Sequence, residues 1–136
     1  IFRPNVLYSD DLSCRANFFS WVYISLLKEH SISVVTDQIS NPTNVHQFVN
    51  SIFQCILMYY EGVLHMGSDN FLSRYEFAME IAEIFGFKKS LIIPIKTKML
   101  YKNIESYVAK RPRHSGLIID KVLSSILSFL KIDQSA

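Results

Sequence analysis

Segments with helical periodicity alternate along this chain with short apolar runs. In residues 15–30 the apolar side chains recur at helical spacing, and the run Ile32-Ser33-Val34-Val35 that follows is typical of a short strand. A similar succession returns later, with predicted strands at 63–66 and 91–95. Because alternating helices and strands pack into layers, the pattern predicts an α/β fold.

One helix start is well marked. The residues Ser73-Arg74-Tyr75-Glu76 fit a capping box, in which Ser73 accepts from a first-turn amide and Glu76 reaches back to the cap amide. This helix is expected to end at Gly86. A last amphipathic helix is predicted at 120–130.

The segment 37–44 is predicted to be an extended loop that leads into another helix. Pro42 restricts the residue before it to extended backbone, and Thr43 or Asn44 can cap the helix that follows. We expect that helix to direct its apolar side chains inward, namely Val45, Phe48, Val49, Ile52, Phe53, Ile56 and Leu57.

The composition fits one folded unit. The 136 residues are 49% hydrophobic and 19% charged, enough for one core and too few for two, so residues 1–136 are expected to form a single portion. No uncharged apolar stretch approaches the roughly 18 residues that span a bilayer, so no membrane partner is predicted. The formal charge of +2 is too small to indicate nucleic-acid binding.

The cysteines and the first residues bear on location and completeness. Cys14 and Cys55 both fall in predicted helices without metal spacing, which favours buried, inert thiols and a reducing, cytoplasmic compartment. The chain opens in a predicted strand with neither Met nor a signal sequence, so we expect a fragment of something longer.

Basic residues concentrate near the C-terminal end. Eighteen consecutive residues hold one acid, Glu105, and six basic residues, which are Lys96, Lys98, Lys102, Lys110, Arg111 and Arg113. Beside a cleft such a strip suits a diphosphate, whereas on an outer face it is ordinary solvated charge.

Several chemistries find no support in this chain. The glycines at 62, 67, 86 and 116 form no Gly-rich phosphate loop, and the four histidines show no ligand spacing for zinc. There is no Gly-x-Ser-x-Gly elbow, and no tyrosine is followed four residues later by lysine. We therefore predict no catalytic residue and no metal site here.

Six short motifs nevertheless occur in one order and carry a resemblance. They are Arg3-Pro4-Asn5-Val6-Leu7-Tyr8, Asn17-Phe18, Asp37-Gln38 with Pro42-Thr43, Gly62 with His65, Ser73-Arg74-Tyr75-Glu76, and Arg111-Pro112 with Ser115 and Leu117. In this order the chain resembles the C-terminal half of the dTDP-4-dehydrorhamnose reductase (RmlD-like) family, which are extended short-chain dehydrogenases/reductases.

The resemblance implies a Rossmann-type fold whose N-terminal dinucleotide-binding half lies before Ile1. That half would carry the Gly-rich turn for NADP (or NAD) and the Tyr-x-x-x-Lys pair. The tyrosine of that pair protonates the reduced carbonyl. This chain alone would bind no cofactor and would form the substrate-binding portion, closing on a nucleotide sugar such as a dTDP-4-keto-6-deoxyhexose.

The resemblance also implies the substrate contacts, which are Asn17, Gln38, Pro42, Thr43 and Arg111. A helix start such as that at Asn17 favours anions, and the guanidinium fork of Arg111 suits a pair of diphosphate oxygens. The alternatives are a polar helix end for Asn17 and loop and cap chemistry at 38–43. For Arg111 the alternative is a solvated surface arginine or one that pairs with Glu105.

The chain departs from the family pattern at three positions. Ser9 and His114 replace the family's common glycine and asparagine, and Gly116 stands where arginine is frequent. The last two changes affect the expected nucleotide-sugar contacts.

Two other functions stay open. A similar signature occurs in the regulatory subunit of methionine adenosyltransferase, for which the partner would be the catalytic subunit of that enzyme. A helix-rich interaction domain without a ligand is the third alternative. Under the reductase hypothesis the partners are the N-terminal half, the nucleotide sugar and, as one alternative, a second copy of the protein.

Overall fold

The computed structural model describes residues 1–14, 17–101 and 111–119, and in them strands and helices alternate as predicted for an α/β fold. The strands are β1 (Phe2–Pro4), β2 (Leu7–Tyr8), β3 (Ile32–Val35), β4 (Ile39–Ser40), β5 (Thr43–Asn44), β6 (Leu64–Met66), β7 (Leu72–Ser73) and β8 (Ile92–Ile95). The helices are α1 (Phe18–Leu27), α2 (Val45–Leu57), α3 (Arg74–Ile84) and α4 (Thr97–Leu100), with a 3-10 turn at Lys89–Leu91. The helix predicted at 120–130 lies outside the described residues.

The strands associate in pairs that join distant parts of the chain. β1 runs parallel to β6, β2 to β5, and β3 to β8, with Ile32 opposite Ile92 in the last of these. Only β4 and β7 pair antiparallel within the described ranges. A parallel pair needs a crossover between its strands, and here the intervening helices provide it.

The main core lies between α1, α3 and the β3–β8 pair. Its buried members are Phe19, Val22, Leu26, Ile32, Val34, Phe77, Ala78, Ile81, Ala82 and Ile92. Ala78 and Ala82 are completely buried in this core. The predicted helix at 15–30 and the strand Ile32–Val35 therefore supply the core as expected.

A second, smaller cluster lies where α2 packs beside the β1–β6 pair. It consists of Cys55, Leu64 and Met66, with Phe48 and Ile52 partly buried against it. The prediction that the whole apolar face of α2 points inward is wrong, because Phe53, Ile56 and Leu57 are exposed by 64%, 60% and 59%. Within the described ranges, two three-residue strands are too narrow to cover so broad a helix face.

The predicted helix boundaries are confirmed where capping hydrogen bonds or a glycine with positive φ define them. Ser73 and Glu76 make both hydrogen bonds of the capping box, and α3 gives way to Gly86 with φ of 68°. Asn44 caps α2 by accepting from the amide of His46 at 2.8 Å. Cys14, in contrast, lies exposed outside any helix, so its predicted burial is wrong.

The described helices include none long and apolar enough to cross a membrane.

Candidate functional site

A cavity of about 390 Å³ lies where the first turns of α1 and α3 meet β3. Pockets that take small molecules have volumes of roughly 300–1,000 Å³. Most of its lining is aromatic or aliphatic, and two arginines and one glutamine supply the strongest polar groups. The lining residues are Phe18, Trp21, Ser33, Val34, Val35, Gln38, Arg74, Leu100, Tyr101 and Arg111.

Arg111 reaches this cavity from a segment that is paired to β4. The amide of Ile39 donates to the carbonyl oxygen of Arg113 at 2.7 Å, and the amide of Ser115 donates to the carbonyl oxygen of Ile39 at 2.9 Å. His114 thereby forms a parallel bridge with Ile39. The segment is thus fixed by backbone pairing to β4.

Asn41 ties the same segment to the rest of the domain. Its side-chain Nδ2 donates to the carbonyl oxygens of Ser68 (3.0 Å) and Leu117 (2.9 Å), and its Oδ1 accepts from the amide of Leu117 (3.0 Å) and from Asn5. The residue is completely buried. A Cβ added to Gly67 would collide with Asn41 Nδ2, so glycine leaves room for the network. Asn41 therefore sets the position of the chain just after Arg111.

The family model of the RmlD substrate-binding domain matches residues 1–131. The chain belongs to this family.

Solved reductases share the fold of this RmlD substrate-binding domain. The dTDP-4-dehydrorhamnose reductase of Bacillus anthracis, in complex with NADP, gives a TM-score of 0.78 at 25% identity over 91% of this chain and 41% of its own. The Clostridium acetobutylicum enzyme gives 0.72 at 25% identity over 96% and 48%. The Yersinia enterocolitica enzyme gives 0.73 at 24% identity over 86% and 39%. The chain thus spans less than half the length of these enzymes. No curated protein matches it.

These comparisons confirm the family and the Rossmann-type α/β fold that the motifs predicted.

Two of the five predicted substrate contacts, Gln38 and Arg111, line the cavity, and their contact with substrate stays a prediction. Gln38 Nε2 donates to Thr97 Oγ1 at 3.1 Å, while the backbone amide and the hydroxyl of Thr97 donate to Asp37 Oδ1 at 2.8 and 2.7 Å. The hydroxyl bond and then the amide bond hold the pKa of Asp37 below its usual value. The Asp37-Gln38 pair therefore anchors α4, whose end brings Leu100 and Tyr101 to the cavity.

The other three predicted contacts lie away from this lining. Asn17 caps α1, accepting from the amide of Ser20 at 3.3 Å and donating to the carbonyl oxygen of Ser9 at 3.2 Å. Pro42 and Thr43 are buried, and Thr43 lies in β5. Their roles as substrate contacts stay predictions. Of the basic strip, Lys102 and Lys110 lie outside the described residues.

Arg74 was missed as a site residue, because its motif was interpreted as a helix cap and as part of the family resemblance, with no substrate contact assigned to it. It is the first residue of α3, and its Cζ lies 5.1 Å from the centroid of the Phe18 ring. Burial lowers the pKa of the Arg74 guanidinium, and the charge of Arg111 lowers that pKa further. A cation at a helix N-terminus opposes the helix dipole, and this mismatch was the signal available in the sequence.

Neither arginine is neutralised by a carboxylate in the part of the chain that the structure describes. In that part of the chain, Lys88 pairs with Glu29 at 2.7 Å and Lys89 pairs with Glu83 at 2.9 Å, while His46 lies 3.8 Å from Asp10. The same ranges contain no cluster of three or more His, Cys, Asp or Glu side chains that could hold a metal. The described lining of the cavity therefore combines two arginines with an apolar wall.

Proposed function

We propose that residues 1–136 form the substrate-binding portion of an NADP-dependent nucleotide-sugar reductase, acting on a dTDP-4-keto-6-deoxyhexose or a similar sugar nucleotide. The single observation that carries the proposal is the placement of Arg111 in an aromatic-lined cavity of a chain that belongs to the RmlD substrate-binding family. The solved dTDP-4-dehydrorhamnose reductases that share this fold are the precedent for the proposed substrate.

In this proposal each part of the cavity has a distinct task. Arg111 contributes a planar fork of N–H donors, which matches two phosphate oxygens. Phe18, Trp21 and Tyr101 offer flat apolar surface for the base and the ribose. Binding on this wall would fix the sugar at the open side of the cavity, where the remainder of the longer protein would act on it.

The glycines of the described residues do not form a site that fits NADP itself. Gly67 and Gly116 are occupied in close packing against Asn41 and Phe71, and Gly62 and Gly86 take positive φ outside any strand-to-helix phosphate turn. The sequence also lacks the Tyr-x-x-x-Lys pair. We therefore propose that a preceding part of the protein binds the cofactor and supplies the proton donor.

The direct test is NADPH oxidation monitored by absorbance. The longer protein containing this chain should oxidise NADPH when a dTDP-4-keto-6-deoxyhexose is added, and the 136 residues alone should give no rate. NADPH oxidation by the 136 residues alone would contradict the proposal that another part of the protein binds the cofactor.

The same assay discriminates the regulatory alternative. A longer protein that binds the nucleotide sugar but oxidises no NADPH, and that binds a methionine adenosyltransferase catalytic subunit, would favour a regulatory subunit. Homodimer formation and a cytoplasmic location belong to the reductase proposal as predictions.

A further inference from the structure

Arg74 and Arg111 lie far apart in the sequence, at the start of α3 and after α4, and both line one cavity. Arg74 is half-buried at the start of α3, and its backbone amide donates to the carbonyl oxygen of Gln38 at 3.2 Å. Arg111 is exposed at the end of the segment paired to Ile39. Two separate elements of the fold therefore bring positive charge to the same place.

Bringing two guanidinium groups together costs free energy unless an anion offsets it. Burial lowers the pKa of the Arg74 guanidinium, and repulsion by the charge of Arg111 lowers that pKa further. The acids of the described residues do not supply that anion, because none forms an ion pair with either arginine. An arrangement of this kind favours a bound ligand with several negative charges.

The aromatic wall holds Arg74 ready for such a ligand. Its guanidinium lies over the ring of Phe18, and that ring stacks on Phe77 at a centroid distance of 5.7 Å. Cation–π contact restricts the side chain while its N–H groups stay available for hydrogen bonds at the edge of the guanidinium plane. Trp21, next to Phe18 at 5.7 Å, extends the same wall.

We propose that Arg74 is a second phosphate-binding residue, which together with Arg111 forms a two-arginine clamp that selects nucleoside diphosphates over nucleoside monophosphates. This inference rests on the proposed function, since it assigns the phosphate contacts of the same site. A diphosphate offers each guanidinium its own phosphate group, whereas a monophosphate leaves one guanidinium poorly paired. The clamp thus makes the second phosphate, in addition to the base, a determinant of recognition.

The test is a calorimetric titration of the longer protein with dTDP and with dTMP. Arg74→Met keeps an unbranched apolar side chain over Phe18 but removes the charge. It should weaken dTDP binding by about 10- to 100-fold and dTMP binding much less, as expected for loss of one charge-assisted contact. Arg74→Lys should recover part of the loss. Arg113→Ala, which removes an exposed arginine outside the cavity lining, is the matched control and should leave both affinities unchanged.

The outcomes separate this inference from the function on which it rests. If the wild type binds dTDP and Arg111→Ala weakens that binding, but Arg74→Met leaves it unchanged or weakens dTDP and dTMP equally, the clamp is wrong and the function stands. If the wild type binds neither dTDP nor a dTDP-sugar, the proposed function itself fails. A thermal melt of each variant checks that Arg74→Met remains folded.

Discussion

At the scale of single residues, the geometry of the site depends on a buried amide. Asn41 uses all four hydrogen-bonding positions of its side chain, and its partners lie in three separate segments at Asn5, Ser68 and Leu117. Buried polar groups are stabilising only when they are paired, so each of these partners depends on Asn41. The segment that carries Arg111 is held in place through this network.

Replacing Asn41 with alanine should therefore destabilise the protein strongly. Several buried groups would lose their partners, and the expected loss is roughly 2–4 kcal/mol in the free energy of unfolding. Urea denaturation measures it. Asn50→Ala changes an exposed asparagine of α2 and should alter stability little. Equal effects of the two substitutions would contradict the importance given to the Asn41 network.

Residue roles were predictable from sequence where they depend on near neighbours. Ser73 and Glu76 are three residues apart and their capping box follows from local geometry. The role of Arg74 depends on Phe18, Gln38 and Arg111, which are far away in sequence. No local sequence pattern predicts that these residues lie together. The available signal was the positive charge of Arg74 at the N-terminus of a helix, where a cation is unfavourable.

At the scale of elements, the attachment of α4 controls one wall of the cavity. Thr97 donates twice to Asp37 and also accepts from Gln38, so the start of this short helix is fixed to the end of β3. A four-residue helix has little stability of its own. The position of Leu100 and Tyr101 thus depends on hydrogen bonds that are strongest to the ionised carboxylate of Asp37.

The carboxylate makes this attachment sensitive to acid. Because the folded-state pKa of Asp37 is lowered, its stabilising contribution is present above the unfolded value of about 3.9 and is lost as the pH falls through the lower folded value. An NMR titration of the Asp37 carboxyl carbon should show this lowered pKa. Thr97→Ala should raise it toward the ordinary value, because one of two donors is removed, while Thr97→Ser should not. No change in Thr97→Ala would contradict the assignment.

The helix α2 shows that sequence periodicity does not predict how much of an apolar helix face is buried. The sequence predicted correctly that its apolar residues share a face, but not how much of that face the fold covers. Only Cys55 is buried in α2, while Phe53 and Ile56 remain exposed. Periodicity depends on the helix alone, whereas burial depends on partners elsewhere.

At the scale of the whole molecule, the described strands form pairs where larger parallel sheets are usual. Parallel sheets are normally covered on both faces, and the β1–β6 pair has α2 against it. The chain spans 41% of the Bacillus anthracis reductase with which it shares its fold. The exposed apolar face of α2 is consistent with a domain that packs against further protein.

The 136 residues alone should therefore bind an apolar dye such as anilinonaphthalene sulfonate. The exposed side chains of Phe53, Ile56 and Leu57 provide the surface. A Phe53→Gln/Ile56→Gln variant should reduce the dye fluorescence, whereas Phe53→Leu, which keeps the surface apolar, should not. A monomer that melts cooperatively and binds no dye would contradict this prediction.

The measurement that tests the central claim most directly is the affinity of the longer protein for a dTDP-sugar, determined by calorimetry for variants of Arg111. A charge-assisted bidentate contact contributes roughly 1.5–3 kcal/mol, so Arg111→Ala should weaken binding by about 10- to 100-fold without affecting NADP. Arg111→Lys should recover part of the loss, since an ammonium cannot reproduce the fork, and the exposed control Lys98→Ala should change little. If Arg111→Ala binds the dTDP-sugar as tightly as the wild type, Arg111 is an ordinary surface charge and the account of this site is wrong.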